Sequence, residues 1–375
     1  MKDSRITVRD ETAQYRIVVN SIGSARPAAS AAIAKGLGLA ASTVVSRLYR
    51  APAILVEGVD HNVARQVTNL LCDIGYQAEI QDLTQPVPPR SPLYDVALYV
   101  EDADAFLPTV KAISKFIGMP EADASTMLMM PPGIVLGSVS KATVEAFRQH
   151  LDEGVSMVSS IADEASYDIF LGDVAEIVSR RILSDLRDAN ITPISDSGLV
   201  AAAVDHQTAQ ALWRRHQASG AMRVVNRDFL RFDLVCTDIE SGFETASPQQ
   251  IECLERVAGI PADLVPEVLN SLPITLLEAV PNGAVEQRMT ELAEVGLVMR
   301  ADLISFQLLT LEILSISQPA ATLSALTGYG VFKQGAGLPR VPFKLDGVMP
   351  ELQARLLKAA LEMSGAEVDF VEEAQ

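Results

Sequence analysis

The stretch GLGLAASTVVSRLYRAPAILVEGV, Gly36 to Val59, decides how the chain is read. Two close glycines among small residues suggest a phosphate cradle. No lysine follows as in a P-loop, however, and no GxGxxG pattern is completed, so cofactor binding is not expected there. What identifies the stretch is that its marks return. Pro52 stands 14 residues after Gly38 and opens the apolar run AILV; Pro132, Pro273 and Pro342 precede GIVL, ITLL and FKL, each 14 residues after Gly118, Gly259 or Gly328. A second glycine follows each proline by 22 or 23 residues: Gly75, Gly154, Gly296 and Gly365.

Working outward, an aromatic residue opens an apolar run at Tyr15 (YRIVV), Tyr94 (YDVALYV), Tyr167 (YDIFL), Phe232 (FDLVC) and Phe306 (FQLLTLEI). The intervals from these aromatics to the closing glycines Gly75, Gly154, Gly220, Gly296 and Gly365 are 60, 60, 53, 64 and 59 residues. Such a fixed period marks a repeated supersecondary unit. The third copy carries Ser197 in the proline place, lacks the earlier glycine and is short, which predicts the loss of much of one helix.

Local chemistry gives the unit its order. Val63, Val67, Leu70, Leu71 and Ile74 recur at helical spacing, as do Val285, Met289, Leu292 and Val295. Asp60, Ser140 and Asp205 stand where an N-cap is needed, and the closing glycines suit a left-handed helix end. Each proline fits the start of a strand, where a missing N–H does least harm. The expected fold is α/β: five tandem β-α-α-β-α-β domains, each a three-stranded sheet packed on helices. They are expected at residues 15–82, 94–161, 167–228 (shortened), 232–303 and 306–373, with a polar tail over 1–14. A linker at 83–93, which overlaps the proline-rich DLTQPVPPRSP of Asp82–Pro92, predicts a semi-rigid spacer that holds the first domain apart.

The 375 residues carry a formal charge of −18, which disfavours nucleic acid and anionic membrane surfaces as partners. Cys72, Cys236 and Cys253 are odd in number and form no CxxC pair, which fits a reducing compartment without a disulfide frame or zinc site. The amino terminus is polar, and the most apolar long stretch, Ile304 to Leu326, is interrupted by Gln307, Glu312, Gln318 and Pro319. A cytoplasmic protein without membrane insertion is expected. His61 and His206 each follow a capping aspartate and are read as first-turn surface residues rather than ligands. His206 and His216 stand ten residues apart on one predicted helix, about 15 Å along its axis, so no shared metal is expected. Ser195 and Ser197 lie outside any GxSxG elbow, and Asp196 with Ser197 is read as a turn. Met127, Met129 and Met130 in MLMMPP offer either an adaptable contact surface or core filling.

The GLGL at Gly36–Leu39, the AP-x-x-L-x-EGV passage at Ala51–Val59 and the Gly75–Ile80 strand together resemble the C-terminal domain of the bacterial ribosomal stalk protein. The second unit is also similar to the related adaptor that feeds N-degron substrates to the Clp protease, through YDVALYVEDAD and ADASTMLMM. The first resemblance implies protein binding around Gly36, Leu37, Gly38 and Leu39 and the helix that follows, where Arg47 and Arg50 are the basic residues. The second implies a ligand loop at Glu101 and Asp102. The expected function is a non-enzymatic, multi-module scaffold or adaptor whose partners are other proteins, with self-association as a further mode and no cofactor or metal. The alternatives are delivery of substrates to a Clp-type protease, and an enzyme with its site between domains.

Overall fold

The computed structural model describes residues 14–25, 33–34, 38–89, 91–172, 174–194, 198–240 and 245–372. The tail over 1–13 and the expectations placed on Gly36, Leu37 and Ser195–Ser197 lie outside them. The chain is mixed α/β, with five small antiparallel sheets among the described residues. It divides into two compact units, Met1–Asp163 and Glu164–Gln375.

The first unit holds two modules. One contains β1 (Tyr15–Ser21), α1 (Ala41–Tyr49), β2 (Ala53–Val59), α2 (His61–Asp73) and β3 (Gln77–Asp82). The other contains β4 (Leu93–Val100), α3 (Phe106–Ile117), α4 (Glu121–Met129), β5 (Ile134–Ser140), α5 (Lys141–Arg148) and β6 (Val155–Ile161). The strand opened by the aromatic residue is central in each sheet, in the orders β2-β1-β3 and β5-β4-β6. That place explains its composition. Ile17, Val18 and Val19 are buried on both faces, so the run is continuously apolar instead of alternating. Each fully buried aliphatic side chain of this kind contributes about 1.5–3 kcal/mol.

The second unit holds three modules. The third has β7 (Ser166–Leu171), α6 (Glu176–Asp188), β8 (Leu199–Asp205), α7 (His206–His216) and β9 (Met222–Asn226). The fourth has β10 (Arg231–Ile239), α8 (Pro248–Ala258), α9 (Val265–Asn270), β11 (Ile274–Pro281), α10 (Asn282–Ala293) and β12 (Leu297–Leu303). The fifth has β13 (Leu308–Ile316), α11 (Pro319–Gly328), β14 (Phe343–Lys344), β15 (Met349–Pro350), α12 (Glu351–Met363) and β16 (Ala366–Glu372).

The third module keeps a long first helix; the second helix of the pair is the one missing among its described residues. The fifth lacks it too, which the sequence spacing did not predict. Gly328 ends α11 rather than turning the chain into another helix, and the left-handed residue is Gly330 at φ 73°. The following Gly335, Gly337 and Pro339 disfavour a new helix. All five closing glycines have positive φ, between 63° and 104°. The side chains of Asp60, Ser140 and Asp205 each accept the N–H three residues on. Pro52, Pro132, Pro273 and Pro342 each follow a cis peptide bond and stand one or two residues ahead of a strand.

The proline-rich segment does not hold the first module away. Arg16, only 2% exposed, points its Nη2 at the carbonyls of Gln85 (2.9 Å) and Pro86 (2.6 Å), while its Nε donates to Gln81 (3.0 Å). A buried guanidinium needs acceptors, and the carbonyls of a segment poor in N–H donors supply them. The two modules then touch directly. The Tyr49 hydroxyl donates to the Phe116 carbonyl at 2.9 Å, and the Thr143 hydroxyl donates to the Tyr49 carbonyl at 2.9 Å. Burial raises the proton affinity of Tyr49, which keeps that hydroxyl a donor.

Candidate functional site

In a strand, successive side chains face opposite ways, so the residue after each opening aromatic points away from the helices. In three modules that residue is an aspartate. Opposite Asp95, Asp168 and Asp233 the pairing slips: Tyr94 meets Val139 but Val96 meets Leu136, Tyr167 meets Val204 but Ile169 meets Ala201, and Phe232 meets Val280 but Leu234 meets Leu277. Two residues of the second strand thus bulge against one of the first. The second residue of each bulge is left-handed without being glycine: Ser138 at φ 54°, Ala203 at φ 55° and Ala279 at φ 50°. Its N–H donates to the aspartate Oδ1, at 2.8, 2.9 and 2.8 Å respectively. Each carboxylate therefore supplies the acceptor that the bulge has lost from its ladder.

Two of these aspartates line a cleft of about 990 Å³ within the Glu164–Gln375 unit, between the outer faces of the third and fourth sheets and the start of β13. Its apolar lining includes Phe170, Leu199, Phe232 and Leu303, which pack over the buried Val225 and Leu230, with Phe306 edge-on against Phe170 at 5.0 Å. Burial raises the proton affinity of Asp168, opposed by the bond from Ala203 and the charge of Arg227. Burial also raises that of Asp233, opposed by the Ala279 bond and reinforced by the carboxylates of Glu278, Glu351 and Asp302.

Most of the cleft's charge is internally matched. Arg227 Nε lies 3.1 Å from Asp168 Oδ1, and Arg300 spans both oxygens of Asp302 at 2.6 and 2.7 Å. Thr275 is the one hydroxyl among the described lining residues, which include no histidine or cysteine.

The residues singled out in the sequence take separate places. Arg47 and Arg50 come together on a depression of about 460 Å³ with Thr43, Ser46 and Ala53. Both also serve the fold: Arg47 donates to the Leu55 carbonyl at 2.6 Å, and Arg50 to that of Ser138 at 3.2 Å. Gly38 is exposed at φ 65°, and Leu39 is half-buried, its N–H bonded to Ala34. The backbone N–H groups of Glu101 and Asp102 both donate to the Gly154 carbonyl, tying the end of β4 to the closing turn while their side chains stay exposed. On α4, Leu128 enters the core, Met127 and Met129 are half-buried, and Met130 is 64% exposed just beyond the helix.

The histidines have aromatic or acidic neighbours. His61 packs edge-on against Tyr15 at 5.1 Å, and His206 lies 5.6 Å from the Tyr167 ring with Nδ1 3.2 Å from its hydroxyl. His216 is buried, with Nε2 2.7 Å from Asp185 Oδ2. Burial opposes ionisation of Asp185, but its bonds to His216 and Arg215 prevail and hold it below the usual carboxylate range. Among the described residues no group of three or more histidine, cysteine, aspartate or glutamate side chains is placed to hold a metal ion. No described helix is long and apolar enough to cross a membrane.

Sequence reasoning passed over the bulge aspartates and Arg223, although YD, YD and FD stand at matching places in three copies. An acid inside an otherwise apolar central strand was the available signal. Neither the protein-family models nor the curated proteins contain a match to this chain.

Proposed function

We propose that this chain is a non-enzymatic protein-binding scaffold that carries five ribosomal-stalk-like modules and acts on other proteins, or on copies of itself, in the cytoplasm. One observation carries the reading: a small antiparallel-sheet unit recurs five times, and the central-strand aspartates that three of the copies carry are committed to backbone support. Repetition without a repeated reactive constellation favours many weak contacts that act together. The experiment is affinity capture by the full-length chain from native extract, followed by titration of each captured protein, with light scattering to follow self-association. A reproducible partner that binds at least tenfold more weakly to a variant with Arg47→Glu and Arg50→Glu supports the scaffold. Absence of both partner and self-association ends it.

A second reading, an enzyme with its site between modules, draws on Asp168 and Asp233, whose raised proton affinity in a cleft is a feature of acid–base sites. It requires a turnover that Asp233→Asn abolishes while the fold survives.

A further inference from the structure

The cleft between the third and fourth sheets contains one cation whose circumstances differ from the rest. Arg227 is committed to Asp168, Arg300 to Asp302, and the buried Arg231 donates to the Ala279 carbonyl at 3.0 Å. Arg223 on β9 is exposed, and its guanidinium lies 4.6 Å from the centre of the Phe306 ring. Among the described residues it forms no ion pair with a carboxylate. A guanidinium stacked on an aromatic face loses rotational freedom but keeps its in-plane fork of N–H donors, which matches a carboxylate in two-point geometry.

Around this group the cleft is lined by the half-exposed Leu308, the half-buried Leu199 and Phe306, and the mostly buried Phe170 and Val235. The volume of about 990 Å³ lies at the upper end of the roughly 300–1,000 Å³ usual for small-molecule sites, which favour boundaries between modules. A net charge of −18 disfavours a bare anion, so a ligand must add apolar contact to the ion pair.

We propose that this cleft binds a small amphiphilic organic acid, its carboxylate paired with Arg223 and its apolar body laid on Phe170, Phe306 and Leu308. This goes beyond the scaffold reading, since it involves no partner protein.

The probe is 4-phenylbutyrate, titrated calorimetrically into the full-length protein beside 4-phenylbutanamide and acetate. Binding of the acid is expected, with affinity about tenfold or more weaker for the amide and for Arg223→Gln, as befits loss of a charge-assisted contact. Acetate gives no heat. Arg223 is exposed, so the variant should unfold at the wild-type temperature; a Phe306→Leu variant, which keeps apolar bulk but removes the ring, should also bind more weakly. Equal affinity for acid and amide, undiminished binding by Arg223→Gln, or no heat at millimolar 4-phenylbutyrate each overturns the site. Tighter binding of a phenylalanine-ended peptide than of 4-phenylbutyrate would overturn the small-acid assignment.

Discussion

The first module and the second, third and fourth meet the same backbone problem in different ways. All place a left-handed residue six positions after the proline site: Gly58 at φ 70° in the first, and Ser138, Ala203 and Ala279 in the others. The three non-glycine residues each face an aspartate that accepts their N–H. In the first module the partner position is Arg16, the slip in pairing leaves out Gly58 alone, and the side chain turns to the linker carbonyls. Glycine adopts this conformation freely, whereas an L-residue pays about 1–2 kcal/mol for it. The difference shows that the acid belongs with a strained bulge, and that once glycine relieves the strain the position opposite is released for another task. The fifth module has a third solution. Its edge is split into β14 and β15 around Gly347 at φ 85°, and the Thr310 hydroxyl lies within bonding distance of the Leu345 and Gly347 carbonyls.

Removing Arg16 should break the comparison most severely. Arg16→Ala deletes charge-assisted bonds to Gln81, Gln85 and Pro86, for an expected loss of about 2–3 kcal/mol. Limited proteolysis should then cut within residues 83–89 faster than it does in the wild-type protein. Next in size is Asp95→Ala, which leaves the Ser138 N–H without its side-chain acceptor and should cost about 1–3 kcal/mol in chemical denaturation. Asp95→Asn, which keeps an acceptor oxygen, should recover most of that loss, and failure to do so would mean that charge rather than the bond matters there.

Smaller effects sharpen the contrast between glycine and alanine. Gly58→Ala meets open space but a positive φ, so it should destabilise by about 1–2 kcal/mol. Ala279→Gly should be neutral or stabilising by up to about 1 kcal/mol. Opposite signs are the expected result, and equal signs would remove strain from the explanation.

The smallest effect is one of pH. Folding raises the proton affinity of Asp233, chiefly through burial, so the stability linked to its proton is fully present below the ordinary value of 3.8 and is lost as pH rises through the raised one. Asp233→Asn should flatten that decline, which thermal unfolding from acid to neutral pH will detect. Asp185 is the counterexample with lowered proton affinity, so its contribution is present above 3.8 and is lost as pH falls through the lowered value.

Much of this architecture could be read in advance because some residues have few uses. Closing glycines, prolines ahead of strands and the caps at Asp60, Ser140 and Asp205 carry backbone requirements that survive in sequence. The bulges did not show themselves: serine and alanine rarely adopt positive φ, and only Gly58 hinted at what that position demands. The clamp on the proline-rich segment was hidden for a related reason. Proline content reports backbone stiffness, not whether a distant guanidinium will bind the carbonyls. In the fifth module Gly328 kept the spacing while the chain behind it no longer formed a helix. The cleft depends on how two sheets face one another, and periodicity within a strand contains no information about that.

The Arg16 clamp also bears on the order of biosynthesis. Each sheet is assembled from a contiguous length of chain, so the modules can fold in turn as they emerge during translation. The first is an exception in its final step: its three strands are complete at Asp82, but two of the carbonyls that accept from its buried cation arrive with Gln85 and Pro86. A nascent chain halted before those residues would leave Arg16 with Gln81 alone among these acceptors, and a few more residues of elongation would lock it.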